Sequence, residues 1–207
     1  MTTSAAAASA RTDFTPLLIG EGFSIVPPGT AAPDHNRLAI FMARGAFGSG
    51  DHETTRSCLE LMETLRFSGP PKILDLGSGT GLLSIAALKL FGGHAWCVDI
   101  AESAVASARH NCDLNQIDSV THHCGTLDTL KESEFDLILA NIYGDILLDV
   151  ADDLAGRAAA GATILLSGIL WEYNFDIRKR YQGLGCILIK NRLMEEFSTV
   201  LLQKENI

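Results

Sequence analysis

Long apolar runs are missing from this chain: none of its 207 residues lie in a stretch of the roughly 18 to 20 apolar positions needed to cross a bilayer as a helix. Five cysteines, Cys58, Cys97, Cys112, Cys124 and Cys186, are odd in number and form no C-x-x-C pair. That spacing argues against a disulfide framework or a zinc ribbon and suits buried thiols in a reducing compartment. Positive charge is scarce as well. Sixteen Lys and Arg face 25 Asp and Glu, a net charge of −9, the wrong sign for a protein that tracks nucleic-acid phosphates. The Ala/Ser-rich start, Met1 to Ala10, has neither the basic segment nor the Leu-rich core of a secretion signal. A cytoplasmic location with no membrane and no DNA partner is expected.

What is present reads as a folded domain. Hydrophobic residues make up 47% and charged residues 20%, which is globular composition, and this length can bury a core. Phe23 to Val26 and Leu38 to Met42 read as short strands between the turn signals Pro27-Pro28-Gly29 and Pro33-Asp34. Residues 1–45 are therefore expected to be a disordered start plus a short β-rich lead-in, and residues 46–207 the main domain. A glycine-containing loop, Phe47 to Thr55, enters a helix with Asp51 as the expected N-cap, Glu53 in the first turn, and Cys58, Leu61, Met62 and Leu65 as its apolar stripe.

Strand and helix patterns then alternate. Strands are expected at Lys72 to Leu76, Ala95 to Asp99, Ile117 to His123, Phe135 to Ala140 and Ala162 to Ser167. Helices are expected at Thr80 to Phe91, after Asp99, around Ile146, Leu147, Val150 and Leu154, and at Trp171 to Tyr181. Such alternation means right-handed crossovers and a parallel sheet covered on both faces. Cys186 to Lys190 and Ser198 to Gln203 break the rhythm and suit a hairpin at the sheet edge.

The sharpest motif is Ile73-Leu-Asp-Leu-Gly-Ser-Gly-Thr-Gly-Leu82. A buried strand runs into Gly77, Gly79 and Gly81, and a helix follows at once. Glycines there let backbone approach a ligand, and the helix start offers N–H groups. The spacing is G-x-G-x-G with Leu82 in the sixth place, so the dinucleotide pattern G-x-G-x-x-G is not met, and no G-x-x-x-x-G-K-[ST] occurs. Asp99 ends the second strand, where a carboxylate can take both hydroxyls of a ribose. His122, His123 and Cys124 sit side by side, but strand neighbours point to opposite faces, so no metal site is expected.

The D-x-G-x-G-x-G pattern with a strand-terminal acid resembles class I S-adenosylmethionine-dependent methyltransferases. That likeness implies an α/β, Rossmann-like fold: a seven-stranded, mostly parallel sheet, helices on both faces, and an antiparallel C-terminal strand. Ala46-Phe-Gly-Ser-Gly-Asp-His-Glu-Thr-Thr55, Ala86-Ala-Leu-Lys-Leu90, Ala140-Asn-Ile142 and Leu166-Ser-Gly-Ile-Leu170 are, in order and spacing, similar to the ribosomal protein L11 methyltransferases (PrmA). The resemblance covers the catalytic domain without the N-terminal recognition domain usual in that family. It implies that Thr55 closes a loop over the methionine end of S-adenosyl-L-methionine, Gly77 lies under it, and Asp99 holds the ribose. Asn141 would sit where donor meets acceptor, with Thr54, Gly79 and Gly81 as neighbours. The implied partner is a protein substrate, a basic ribosomal protein whose lysine or N-terminal amine takes the methyl group.

An amide suits such chemistry, because methyl transfer needs donor and acceptor held in line and the acceptor amine neutral. The competing role for Asn141 is an N-cap of the helix that follows. His52 suits either a ligand contact or a structural hydrogen bond. Asp128 suits an adenine contact or, more simply, a solvated loop acid. Trp171, Tyr173 and Phe175 suit an acceptor mouth or, as the plainer expectation, core packing. The sequence departs from the family at Ser49, at Asp51 and Glu53 flanking His52, and at Phe197 in Glu195-Glu-Phe197. Small-molecule methyl transfer, or cofactor binding without catalysis, remain alternatives.

Overall fold

The computed structural model describes residues 14–43 and 52–206. Residues 47–51 of the expected glycine-containing loop and the Met1 to Ala10 start lie outside them. The first described elements are three short strands, β1 (Leu17–Ile19), β2 (Phe23–Val26) and β3 (Leu38–Phe41), and helix α1 (Glu53–Met62). There follow β4 (Lys72–Leu76), α2 (Leu82–Phe91), β5 (His94–Asp99), α3 (Glu102–Leu114), β6 (Val120–Cys124) and β7 (Phe135–Asn141). The chain continues through α4 (Gly144–Asp149), α5 (Ala151–Gly156), β8 (Ala158–Leu170), α6 (Trp171–Gly183), β9 (Cys186–Leu193) and β10 (Phe197–Lys204).

Seven strands form the main sheet in the order β6-β5-β4-β7-β8-β10-β9. Pairs from β6 through to β8 are parallel, and β10 is antiparallel to both β8 and β9. This is the seven-stranded, mostly parallel sheet expected from the sequence. The C-terminal hairpin forms as expected, but its second strand is threaded inside the sheet and β9 takes the edge.

Alternation along the central strands divides the core in two. Ile73, Leu137, Leu139, Leu165 and Leu201 pack with α1, α2 and the small sheet. Leu74, Ile138, Ala140, Leu166 and Leu202 pack with α4, α5 and α6. Strands buried on both faces read as continuous apolar runs, which is why β4 and β7 were visible in the sequence.

The small sheet joins β1 to β2 antiparallel and β2 to β3 parallel. Ile19, Phe23, Ile25 and Ile40 are fully buried in the same cluster as α1 and α2. Helix α3 grips the end of β3. The Asn115 side chain accepts from Phe41 N at 3.0 Å and donates to Phe41 O at 2.7 Å. Asn111, wholly buried, accepts from Ala43 N at 2.9 Å and donates to Thr80 O at 2.9 Å.

Several expectations need correcting. β8 begins earlier than Ala162. Gly161, at φ +75°, lies inside it, where the pairing with β7 jumps from Phe135–Ala158 to Leu137–Thr163; the glycine marks a bulge and not a boundary. The expected helix through Ile146 and Leu154 is two helices, divided at Val150 (φ −93°, ψ 4°). α1 is capped by His52, whose Nδ1 accepts from Thr54 N; the expected cap, Asp51, lies outside the described residues.

Candidate active site

The loop from β4 to α2 carries three left-handed glycines, Gly77 (φ +68°), Gly79 (+54°) and Gly81 (+78°). Two are also forced by neighbours. A Cβ on Gly77 would lie 2.3 Å from Ile142 Cγ2, and one on Gly81 would lie 3.1 Å from Ala108 Cβ. Gly77 N and Ser78 N donate to Val98 O at 2.8 and 3.1 Å, and Gly79 N donates to Asp99 Oδ2 at 2.9 Å. The carboxylate that ends β5 is thus tied to the middle of the glycine loop. Its other oxygen, Oδ1, accepts from Ala101 N at 3.0 Å. Each oxygen has a second acceptor site, so the group can serve the loop and a sugar hydroxyl together.

Asp75, one residue before the strand ends, is 1% exposed and faces α2. Its Oδ2 accepts from Ser84 N at 3.1 Å and Ser84 Oγ at 2.5 Å, and Cys97 Sγ donates to Ser84 Oγ at 2.9 Å. The motif's aspartate therefore caps the helix start from within the sheet, satisfying an N–H that the helix itself leaves unpaired. Burial raises its pKa from 3.8 to about 6, against the lowering effect of the Ser84 hydrogen bonds. A folded-state pKa above the unfolded one means the native chain holds the proton more tightly. This group's contribution to stability is then full below about pH 4 and is lost as pH rises to about 6. The unfolding free energy of Asp75→Asn minus that of wild type is therefore expected to rise across that window, as read by urea unfolding at both ends. A flat difference would contradict the assignment.

The second half of the site comes from β7 and β8. Asn141, at the end of β7, donates from Nδ2 to Thr55 Oγ1 at 3.3 Å, joining two sequence-predicted residues 86 positions apart. The helix α4 is capped at Tyr143, so Asn141 is not an N-cap. Ile142 is the residue that sequence reasoning missed. Its side chain fills the space over Gly77, and its backbone lies under Gly168, where a Cβ would sit 2.5 Å from Ile142 O. Ile142 N donates to Ser167 O at 3.1 Å. The pairing of Asn-Ile with Ser-Gly was present as two motifs, but nothing in either says they interlock.

Thr54 and Thr55 are buried in the first turn of α1. Thr54 spends its polar atoms on structure: its N and Oγ1 meet His52 Nδ1 at 3.3 and 2.8 Å, and its carbonyl accepts from Ser167 Oγ at 3.4 Å. Ser167 also bonds Thr199 Oγ1 at 2.7 Å. His52 is thus a cap, and its ring meets that of Phe197 edge-on, 5.1 Å between centroids.

The remaining candidates separate. Asp128 is exposed in a single 3-10 turn, Leu127–Thr129. His123 Nε2 pairs with Thr129 Oγ1 at 2.7 Å, while burial lowers the pKa of His122. Among the described residues no three His, Cys, Asp or Glu side chains gather as metal ligands. Trp171 is 54% and Phe175 61% exposed, so the expectation of core packing is wrong for both. Tyr173 alone packs inward, against Gly144. Two open concavities, one beside Phe67 and Phe91 and one beside Gln182 and Lys204, lie away from the glycine loop.

Residues 4–205 match the family model for ribosomal protein L11 methyltransferase (PrmA). The chain is 40% identical over 183 residues to a ribosomal protein L11 methyltransferase of Trichlorobacter lovleyi, covering 84% of this chain and 60% of that protein. It is 37% identical over 199 residues to one of Geobacter sulfurreducens, covering 94% and 64%. The crystal structure of a ribosomal protein L11 methylase from Lactobacillus delbrueckii subsp. bulgaricus superposes with a TM-score of 0.85 at 24% identity, covering 93% of this chain and 100% of that one. A precorrin-6y C5,15-methyltransferase from Geobacter metallireducens shares the fold at a TM-score of 0.63 and 15% identity, covering 79% and 92%. The chain spans about three-fifths of the length of the curated relatives it matches. On this evidence it belongs to the ribosomal protein L11 methyltransferase family.

Proposed function

We propose that this member of the ribosomal protein L11 methyltransferase (PrmA) family transfers a methyl group from S-adenosylmethionine to an amine of a protein, with ribosomal protein L11 as the first substrate to try. The observation that carries the reading is the Asn141–Thr55 contact beside the glycine loop. It brings the end of β7 to the start of α1 at the carboxyl edge of the sheet, where ligands of parallel α/β sheets bind. The fit to a nucleoside rests on Asp99, whose carboxylate is fixed by Gly79 N and Ala101 N beside the glycine loop.

S-adenosylmethionine, when bound, supplies a methyl group on a positively charged sulfur. The protein's part is to position and to exclude. Asp99 accepts from the ribose hydroxyls, and the Gly77–Gly81 loop lies beside it. Because Asn141 Nδ2 is engaged by Thr55, the amide's Oδ1 is the end that accepts an N–H from the incoming amine. A neutral acceptor there orients the nitrogen lone pair without adding charge. No residue is assigned as a base, since water can remove the amine proton before attack. Among the described residues no helix is long and apolar enough to cross a membrane, which suits a protein substrate met in water.

The test is incubation with methyl-labelled S-adenosylmethionine and either purified ribosomal protein L11 or a whole-cell extract. Label in a protein is expected, with Asn141→Ala slowing transfer far more than it weakens cofactor binding. Label confined to small molecules would replace the protein substrate by a metabolite. Cofactor binding without any transfer would reduce the chain to a binding module.

A further inference from the structure

Glu53 opens α1, and its side chain does not serve its own helix. The carboxylate reaches across to the connection between β9 and β10. Its Oε2 accepts from Glu195 N at 3.2 Å, and its Oε1 accepts from Glu196 N at 3.4 Å and Phe197 N at 3.3 Å. Three successive backbone N–H groups turned to one point make a concavity suited to an anion, here filled by a side chain from the other end of the fold. The hairpin closes beneath it through Met194 N to Phe197 O at 2.9 Å.

The same short turn is held from two further directions. Trp171 donates its indole Nε1–H to Phe197 O at 3.1 Å and its backbone N–H to Glu196 O at 3.3 Å. The Phe197 ring meets the His52 ring edge-on. His52 in turn caps the helix turn that carries Thr54 and Thr55. Thr55 receives the Asn141 amide. Continuous contact therefore runs from Glu53 and the turn, through His52 and the start of α1, to Asn141.

We propose that Glu53 is a positioning residue: by holding the Glu195–Phe197 turn it fixes the first turn of α1 and so the Thr55–Asn141 pair that faces the ligand. The proposal rests on reading the cleft as an S-adenosylmethionine site. Glu53 itself touches no reacting atom. Its half-exposed position on the surface makes removal tolerable to the fold, while the N-terminal turn of α1 loses its tether. Glutamine keeps one carbonyl oxygen for the turn and should fall between wild type and alanine.

The experiment uses the full chain in a Trp96→Phe background, which leaves Trp171 as the one tryptophan, with Glu53→Ala and Glu53→Gln compared. Calorimetry reads affinity for S-adenosylhomocysteine, thermal unfolding reads stability, and the indole N–H resonance of Trp171 reads the turn without any ligand. The expected result for alanine is about a five- to tenfold weaker affinity, the order of effect for losing charge-assisted hydrogen bonds at a surface. The Trp171 resonance should shift toward that of a free indole, the melting temperature should stay nearly constant, and glutamine should recover part of both losses. Alanine that binds as tightly as the parent, or affinity that falls only in step with melting temperature, would overturn the positioning role. A parent chain with no affinity for S-adenosylhomocysteine would instead refute the functional reading beneath it.

Discussion

Gly168→Ala is expected to destabilise the protein by about 3 kcal/mol or more, a severe effect of the class that backbone strain and steric overlap produce. Two costs add. At φ +78° a side chain sits in the left-handed region, worth roughly 1 to 2 kcal/mol. The new Cβ would also stand 2.5 Å from Ile142 O, 3.0 Å from its C and 3.1 Å from its N. Those are backbone atoms one residue past the end of β7, held by the Ile142 N to Ser167 O bond, so they cannot swing aside as a side-chain tip would. Whatever relief occurs must move Ile142, and Asn141 moves with it. Lost methyl transfer should thus accompany the lost stability. Gly156→Ala is the control: it lies in α5 with nothing within 4 Å of its Cβ position, and should be neutral or slightly stabilising. Urea midpoints decide the matter, and a Gly168→Ala midpoint equal to wild type would refute the interlock.

Asp99→Ala should weaken binding of S-adenosylhomocysteine by roughly 10- to 150-fold, which corresponds to about 1.5 to 3 kcal/mol for hydrogen bonds to a charged group. Alanine removes the proposed acceptor for the ribose and also frees Gly79 N, which now points at Asp99 Oδ2. The loop would lose its middle tether at the same time as the ligand loses a partner. Asp99→Asn keeps the shape and one acceptor oxygen, so it should fall between the two. Calorimetry on all three proteins makes the comparison, and an alanine variant with parental affinity would remove Asp99 from the site.

Much of this was visible in the amino-acid order, for physical reasons that differ by element. β4 and β7 are buried on both faces over most of their length and so appear as mainly apolar runs, interrupted only by Asp75 and Asp136. The glycine loop shows because L-residues rarely adopt the angles at Gly77, Gly79 and Gly81. What the sequence hid were contacts between distant segments. Ile142 between Gly77 and Gly168, Asn111 between Ala43 and Thr80, and Glu53 under the β9–β10 turn each depend on which strand lies beside which. Local preference also misled where a neighbour offered a better partner. Asp51 looked like the cap by composition, yet the ring nitrogen of His52 takes the Thr54 N–H. Gly161 looked like a strand boundary, yet the strand absorbs it as a bulge.

The Asn115 amide, by accepting from Phe41 N and donating to Phe41 O, offers β3 the same pair of bonds that another strand would. An open strand margin with unpaired peptide groups invites pairing between molecules and, from there, aggregation. One side chain from α3 thereby acts as a dummy strand that closes this flank. Conversion of Asn115 to aspartate would set a carboxylate against the Phe41 carbonyl, reopen the margin, and expose a self-association hazard at the small sheet.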